Sequence, residues 1–329
     1  MKKRLETLTR AHGVSGDESA ISAAIRQAAE PYADDITEDA LGNLIVHQKG
    51  AGKKIMLAAH MDSVGVIVTH IEQNGFLRFG AIGGLEAKAL YQTMVRFQNG
   101  TVGVIAVEES KEEKEFKLTD LYIDIGARDR EEAKTMVMVG DTAAFSGALS
   151  GNGNRVMGPY LDNRAGCAVL LETMQQTQHP TNDLYYVFTT QEEVGMRGAK
   201  PAAWAVDPEY ALAVDVTCPD DQPGALHEAT TKLGGGAAIK IMDHSVLCHR
   251  EVVARLRQLA AEKKIPAQDD LLKVGGTDAG VIHVSRGGVR TGGVSIPCRY
   301  THSQTELIDL ADLEACVKLV QAFCESEFE

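Results

Sequence analysis

The chain has 329 residues, 44% of them hydrophobic and 24% charged, which is an ordinary balance for a globular protein with room for two domains. Its net charge of −13 argues against nucleic acid and anionic membranes as partners. The start "MKKRLETLTRAHG" lacks the apolar core of a signal peptide, no stretch resembles a membrane span, and no CxxC pair is present. We therefore expect a soluble, cytoplasmic protein.

The first predicted elements are one helix and two strands. The segment "VSGDESAISAAIRQAAEPY" favours a helix in which Ser15 and Glu18 have the spacing of a capping box and Pro31 ends the run. "DALGNLIVHQKG" and "KKIMLAAHMD" read as strands between glycine-containing turns. The second of these is a continuous apolar run, as expected for a strand that is buried on both faces.

The pattern changes at residues 65–155. Two Asn-Gly pairs each separate strand-like runs, which is a hairpin signal, and "KEEKEFKLTDLYIDIGARDREEAK" adds a charged turn, a further strand and one short helix. This pattern predicts a small all-β module. It would interrupt a discontinuous α/β domain formed by residues 1–64 and 156–329.

After the β module, helices and strands alternate. "AGCAVLLETMQQT", "REVVARLRQLAAEKK" and "DLADLEACVKLVQAFCES" are typical of helices, whereas "DLYYVFTT", "YALAVDVT" and "GVRTGGVSIP" are typical of strands. Such alternation predicts an α/β fold, with a mixed sheet sandwiched between helices.

Acidic residues and histidines follow five of these segments. In open α/β sheets, ligands bind outside the carboxyl ends of the strands, so we expect these side chains to meet at one edge. Each alone has a common structural explanation, such as a helix N-cap for Asp162 or a solvated turn for the glutamates. Together they form a far more specific set: His60, Asp62, Asp162, Glu192, Glu193, Asp215 and His302.

Imidazole and carboxylate ligands suit zinc, cobalt or manganese better than calcium or copper. Two histidines and three carboxylates exceed what one tetrahedral ion needs, and they fit two ions that share a bridging carboxylate. Asp62 lies two residues after His60, on the same face of the strand, where its carboxylate could accept the other imidazole N–H. Of the adjacent glutamates, one could bind metal while the other accepts a proton from water.

The chain resembles metallopeptidase family 42, the tetrahedral and glutamyl-aminopeptidase-like enzymes that include proteins once named endoglucanases. The resemblance covers nearly the whole chain and rests on motifs in the family's order: "SGDE", "DALGN", "AAHMDSVG", "LDNRAG", "QEEVGMRGA", "AVDV", "GGTDAG" and "IPCRYTHSQTE". Two departures stand out. Many members have Asp where this chain has Asn163, and many have Glu where it has Ser63.

The resemblance implies a zinc-peptidase-like domain that holds two divalent ions, zinc or cobalt, with manganese as a further option. His60, Asp162 and Asp215 would bind one ion. Asp162, Glu193 and His302 would bind the other, with Glu192 as general base and Asp62 orienting His60. The loop with Gly276, Thr277 and Asp278 would lie near the substrate.

The resemblance also implies an assembly. Residues 65–155 would form a β-barrel-like dimerisation domain, and the dimers would build a homo-oligomer that extends to a dodecameric tetrahedron. Four other histidines we take as structural or surface residues: His227, His244, His249 and His283.

The function that follows is removal of the N-terminal residue from peptides. A metal-dependent N-acyl-amino-acid deacylase is the main alternative, and a non-catalytic assembly is a third. A glucanase is disfavoured because no carboxylate pair is left over for glycosidic chemistry and the chain has one Trp and 5% aromatic residues.

Overall fold

The computed structural model describes residues 1–109, 116–225 and 230–328. Its α-helices are α1 (Lys2–Arg10), α2 (Ser19–Ala29), α3 (Ala87–Leu90), α4 (Arg130–Met136), α5 (Leu161–Gln176), α6 (Ala199–Val206), α7 (Arg250–Glu262), α8 (Ala279–Ile282) and α9 (Leu310–Cys324). Its strands are β1 (Asp35–Glu38), β2 (Leu44–Gln48), β3 (Lys54–His60), β4 (Gly65–Ile71), β5 (Leu77–Ile82), β6 (Met94–Phe97), β7 (Val102–Val107), β8 (Leu121–Asp124), β9 (Thr142–Phe145), β10 (Ser150–Asn152), β11 (Arg155–Gly158), β12 (Asp183–Thr189), β13 (Tyr210–Thr217), β14 (Ala237–Met242), β15 (Ala267–Leu271), β16 (Arg290–Arg299) and β17 (Glu306–Asp309).

The large sheet is mixed, and four parallel strands form its centre in the order β12-β3-β13-β16. Strands β2, β14 and β17 each pair antiparallel with a member of this group. Because the central strands are parallel, their carboxyl ends lie at the same edge of the sheet. The residues that end or follow these strands are therefore brought together.

Helices cover both faces of the sheet. Side chains of β3 alternate between them: Ile55 and Leu57 enter the core that contains α1, α2, α5, α7 and α9, whereas Met56 and Ala58 enter the smaller core beneath α6 and α8. Burial on both faces explains why β3 reads as a continuous apolar run.

The β module is a closed barrel with the strand order β4-β5-β8-β7-β6-β9 and its own hydrophobic core. Gly75 and Gly100 of the two Asn-Gly pairs have φ values of 86° and 93°, the left-handed backbone that hairpin turns need. The predicted mixed sheet between helices, with a barrel-like insertion, is confirmed. The domain boundaries remain a prediction, and strands β10 and β11 pair with the large sheet rather than with the barrel.

The predicted capping box is wrong. Helix α2 begins at Ser19, and its N-cap residue, Glu18, makes no side-chain cap hydrogen bond. The Glu18 carboxylate instead accepts hydrogen bonds from the backbone N–H groups of Gly16 and Gln191, and the Ser15 hydroxyl donates to Asp62. Both side chains therefore make hydrogen bonds elsewhere and do not cap the start of α2.

Two predicted features fall outside the described ranges: most of the charged turn before β8, at residues 110–115, and His227. Among the described residues, no helix combines the length and the apolar character needed to span a membrane.

Candidate metal centre

The carboxyl edge of the central strands carries two overlapping groups of possible metal ligands. One contains His60, Asp162 and Asp215, and the other contains Asp162, Glu193 and His302. In each group, the candidate ligand atoms all lie within 4.8 Å of one another. We call these the first and the second donor cluster.

The first donor cluster is deeply buried and lies on regular secondary structure. His60 ends β3, and Asp215 lies within β13, the neighbouring strand. The His60 Nε2 atom is 3.2 Å from Asp162 Oδ1 and 3.5 Å from Asp215 Oδ1. His60 is 2% exposed and Asp215 6%.

Apart from the shared Asp162, the second donor cluster lies on loops. Glu193 follows β12, and His302 lies between β16 and β17. The His302 Nε2 atom is 3.1 Å from Glu193 Oε2 and 3.6 Å from Asp162 Oδ2. The His302 side chain is 36% exposed, so this cluster faces the solvent side of the centre.

Asp162 joins the two clusters, because its Oδ1 atom faces His60 while its Oδ2 atom faces His302. It lies in the first turn of α5, where its ψ of 108° departs from helical geometry and the Asp162–Asn163 peptide is cis. The Asn163 side chain accepts from the Gly166 N–H and donates to the Val214 carbonyl at 2.9 Å. This amide links the start of α5 to the residue before Asp215.

Glu306 holds the two sides of the second cluster together. Its Oε2 atom accepts from the Asp162 N–H at 2.9 Å, and its Oε1 atom accepts from the His302 N–H at 3.0 Å. The side chain is buried, and each carboxylate oxygen fixes the backbone of a different candidate ligand. Glu306 lies within the quoted motif "THSQTE", four residues after His302, but its spacing alone did not mark it as functional.

Asp62 supports the segment with the paired glutamates. Its carboxylate accepts from the N–H groups of Glu192 and Glu193 at 3.0 and 3.3 Å and from the Ser15 hydroxyl at 2.6 Å. The His60 Nδ1 atom is 3.2 Å from the Asp62 backbone carbonyl and 3.5 Å from the carboxylate. The backbone carbonyl is thus the nearer acceptor for His60.

A buried arginine anchors the N-terminal segment behind the centre. The Arg164 guanidinium is fully buried and donates to the backbone carbonyls of Leu8, Ala11 and Gly13. The Ser63 hydroxyl also donates to the Gly13 carbonyl. The segment that carries Ser15 is thereby tied to both α5 and the end of β3. The sequence patterns did not predict these contacts, since they join residues 50 to 156 positions apart.

The backbone is strained next to several of these side chains. Gln191, just before Glu192, has a φ of 54°, and His302 itself has a φ of 61°. A non-glycine residue in this left-handed region costs about 1–3 kcal/mol, and such residues cluster at functional sites because the surrounding structure holds them there.

Burial dominates the electrostatics of the acidic side chains, although the neighbouring histidines oppose it. Burial is the main cause that raises the pKa of Glu192, Glu193 and Asp215, and neighbouring carboxylates raise each further. Burial lowers the pKa of the two histidines, but the adjacent carboxylates outweigh it, raising that of His60 well above its usual value and that of His302 to about 10.

The residues fit a pair of divalent cations. Among the described residues, the carboxylates of the two clusters form ion pairs only with His60 and His302, so their charge lacks a lysine or arginine partner. The Glu193 Oε1 atom is buried without a hydrogen-bond partner. Ligands bound about 2.0–2.2 Å from a tetrahedral ion lie roughly 3.3–3.6 Å apart, close to the spacings within each cluster.

Glu192 belongs to neither cluster but lies beside the first. Its Oε2 atom is 4.0 Å from His60 Nε2, and the Asp62 carboxylate fixes its backbone N–H. Glu192 and Glu193 therefore occupy separate positions although they are adjacent in the sequence. A carboxylate next to the donor atoms, yet outside both clusters, is suited to proton transfer.

The three predicted substrate-binding residues lie in the loop that leads into α8. Thr277 and Asp278 are buried: the Thr277 hydroxyl donates to Asp243, and Asp278 accepts from Thr189 at 2.5 Å. Burial raises the pKa of Asp278 to about 7, and its Oδ1 atom has no hydrogen-bond partner. The loop backs the centre, and its contact with substrate remains a prediction. Of the four histidines that we took as structural or surface residues, the three in the described ranges lie outside both clusters: His244, His249 and His283.

Comparison with known proteins places this architecture in a family. The profile described as M42 glutamyl aminopeptidase matches residues 42–319. A protein of Acetivibrio thermocellus, named an aminopeptidase by inference, is 47% identical over 322 residues, covering 97% of each chain. The lysyl aminopeptidase of Pyrococcus furiosus is 36% identical, over 99% of this chain and 96% of its own.

Solved structures agree with these relatives. The TET1 peptidase of Pyrococcus horikoshii, which can assemble into a tetrahedron or a large octahedral shell, superposes with a TM-score of 0.89 at 33% identity, covering 99% of both chains. The matches extend over the large sheet and the inserted barrel alike. The chain therefore belongs to the M42 family of aminopeptidases and is a hydrolase that acts on peptide bonds.

Proposed function

We propose that this chain is a di-metal aminopeptidase that releases the N-terminal residue of peptides, with Glu192 as general base. The observation that carries the proposal is the position of Asp162, whose two carboxylate oxygens face the two donor clusters. One shared carboxylate between two sets of imidazole and carboxylate donors is what a pair of adjacent divalent ions requires.

His60, Asp162 and Asp215 would hold one ion, and Asp162, Glu193 and His302 would hold the other. When bound, such ions polarise the scissile carbonyl and lower the pKa of the attacking water. Zinc and cobalt suit this donor set best, and manganese is a further option. The family match supports metal dependence and leaves the choice of metal to experiment.

In this mechanism Glu192 accepts a proton from the attacking water and returns it to the leaving amine. The Asp62 carboxylate accepts a hydrogen bond from the Glu192 backbone N–H and so keeps Glu192 in place. The contact between the Asp62 carbonyl and His60 Nδ1 keeps the His60 ring oriented. Burial raises the pKa of Glu192, which strengthens its carboxylate as a base. Gly276, Thr277 and Asp278 would form part of the wall around the substrate.

Glu192→Gln tests the general base. The variant should keep its bound metal and lose turnover by about 10²–10⁴-fold, because the amide cannot accept the proton. The matched control is Glu172→Gln. Glu172 is partly exposed and forms an ion pair with Arg4, so this variant should leave turnover unchanged. A Glu192→Gln variant with near wild-type turnover would refute the role.

The substrate class follows from a second experiment. Metal-stripped protein, reconstituted with zinc, cobalt or manganese, is assayed on free-amine aminoacyl-anilides of Glu, Asp, Leu, Ala and Lys and on their N-acetylated forms. Release from the free-amine set supports the aminopeptidase, whereas activity on the blocked set alone would favour the deacylase. The family is described as glutamyl aminopeptidase, whereas one relative is a lysyl aminopeptidase. The panel therefore also measures which N-terminal residue this chain prefers.

We also propose that residues 65–155 form a dimerisation domain, and that the chain acts in the cytoplasm as a homo-oligomer, extending to a dodecameric tetrahedron. The barrel presents apolar side chains on two adjacent strands: Met94 is 50% exposed and lies opposite Val104, which is 38% exposed. Met94→Glu combined with Val104→Glu should reduce the sedimenting mass while the fold is kept. An unchanged mass would contradict this surface.

A further inference from the structure

The inserted barrel reaches the second donor cluster through one turn. Gly83 and Gly84 follow β5, and the Gly84 carbonyl lies 2.8 Å from the Nδ1 atom of His302. A carbonyl oxygen only accepts hydrogen bonds, so Nδ1 must be the donor. In the neutral imidazole this leaves the Nε2 lone pair facing Glu193 and Asp162.

The turn also packs against both loop residues of the cluster. A Cβ atom placed on Gly84 would lie 3.2 Å from His302 Nδ1 and 3.4 Å from Cε1. A Cβ atom on Gly83, whose φ is +80°, would lie 3.4 Å from the Glu193 Cβ atom and 2.7 Å from a methyl of Val64. The absence of side chains at these two positions allows the backbone to come this close to the ligands.

We propose that the Gly83–Gly84 turn of the barrel is a positioning element of the second donor cluster, and that it sets the affinity of that cluster for a divalent ion by fixing the tautomer and ring orientation of His302. The inference rests on the proposed function, since it takes the second cluster to be a metal site. Hydrogen-bond partners of ligating histidines change metal affinity by about 10–100-fold when they are lost.

Gly84→Ala tests the inference with little disturbance elsewhere, because Gly84 does not occupy the left-handed region of φ. The added methyl must displace the imidazole by a few tenths of an ångström. The matched control is Gly80→Ala on β5, where the new Cβ atom would meet only methyl groups of Ile67 and Thr69, at 3.6 Å.

The readout is Co²⁺ binding to metal-stripped protein, followed by calorimetry and visible absorption, with no assay of turnover. His302→Ala identifies the absorption and the binding step that belong to the second cluster. In Gly84→Ala that step should weaken by about 10–100-fold while the other step stays unchanged, and Gly80→Ala should match the wild type. Wild-type affinities and spectra in Gly84→Ala would overturn the inference.

A second variant removes acceptor strength without adding a side chain. Replacing Leu85 by its α-hydroxy analogue turns the Gly84 carbonyl into that of an ester, a weaker acceptor, and the same replacement at Ala81 is the control. Selective weakening of the second step in the Leu85 variant supports the inference, and equal behaviour of the two variants opposes it. If the wild type itself binds only one Co²⁺ ion, the proposed function fails, whereas a normal wild type with unaffected variants removes this inference alone.

Discussion

The two donor clusters share one carboxylate but are held in different ways. His60 and Asp215 of the first cluster lie on neighbouring parallel strands and are almost completely buried. Glu193 and His302 of the second lie on loops, and their positions depend on Glu306, Asp62 and the barrel turn. A regular sheet places ligands through its own register, whereas loop ligands need partners from distant parts of the chain. The second cluster should therefore release its ion more readily.

The largest effect should come from Asp162→Ala, which removes the carboxylate that both clusters share. We expect both ions to be lost on dialysis and turnover to fall to background, since each cluster keeps only two of its three donors. Elemental analysis of the dialysed protein checks this. Retention of one equivalent would show that the clusters do not depend on a common ligand.

His302→Ala should separate the clusters. It removes one donor of the second cluster and none of the first, so one ion should be lost and the other retained. The matched control is His283→Ala, because the His283 Nδ1 atom likewise contacts a backbone carbonyl, that of Ala279, at 2.9 Å, but lies outside both clusters. Loss of both ions in His302→Ala would contradict the view that the two clusters bind their ions through different supports.

Glu306→Gln should weaken the second cluster by less than removal of a ligand. The amide can accept from only one of the two backbone N–H groups, so we expect the affinity for the second ion to fall by about 10–100-fold. Asp312→Asn is the control, because Asp312 is also a buried carboxylate that accepts from two backbone N–H groups, those of Gly234 and Gly236. Equal loss of metal affinity in both variants would reduce Glu306 to a general support of the fold.

The smallest effect is expected from Asn163→Asp, which introduces the residue that the family resemblance would give at this position. The carboxylate cannot donate to the Val214 carbonyl, and the loss of a buried hydrogen bond should lower the free energy of unfolding by about 1–3 kcal/mol. Because Val214 precedes Asp215, the change should weaken the first cluster more than the second, which it reaches only through the shared Asp162. Unfolding midpoints and Co²⁺ titration together check both statements, and an unchanged midpoint would contradict the first.

Much of the centre could be predicted because its signals are local. Strand β3 is a continuous apolar run that ends at His60, and the same holds for β12 before the paired glutamates. Parallel strands then force such ends to one edge of the sheet. The family motifs indicated which ligands belong to which ion, and hydrophobic periodicity alone does not give that information.

The supports of the centre could not be predicted, because their partners are remote in the sequence. Glu306 meets Asp162 across 144 positions, and Gly84 meets His302 across 218. The capping box predicted for Ser15 was wrong for the same reason, because the Ser15 hydroxyl donates to the distant Asp62 carboxylate instead of capping the helix. Strand β15, with the polar sequence AQDDL, also lacks a local signal.

The way the barrel is inserted has a consequence for chain entropy. Strands β4 and β9 are the first and last strands of the barrel, and they pair with each other, with Val66 opposite Ala143. The chain thus enters and leaves the barrel side by side. For the large sheet, a folded insertion whose ends are adjacent acts like a tight loop. The entropy lost on ordering the intervening chain is offset by the contacts that fold the barrel, so closing this connection adds little cost to the sheet. The sheet can gather ligands from both sides of the insertion without having to order a long flexible segment.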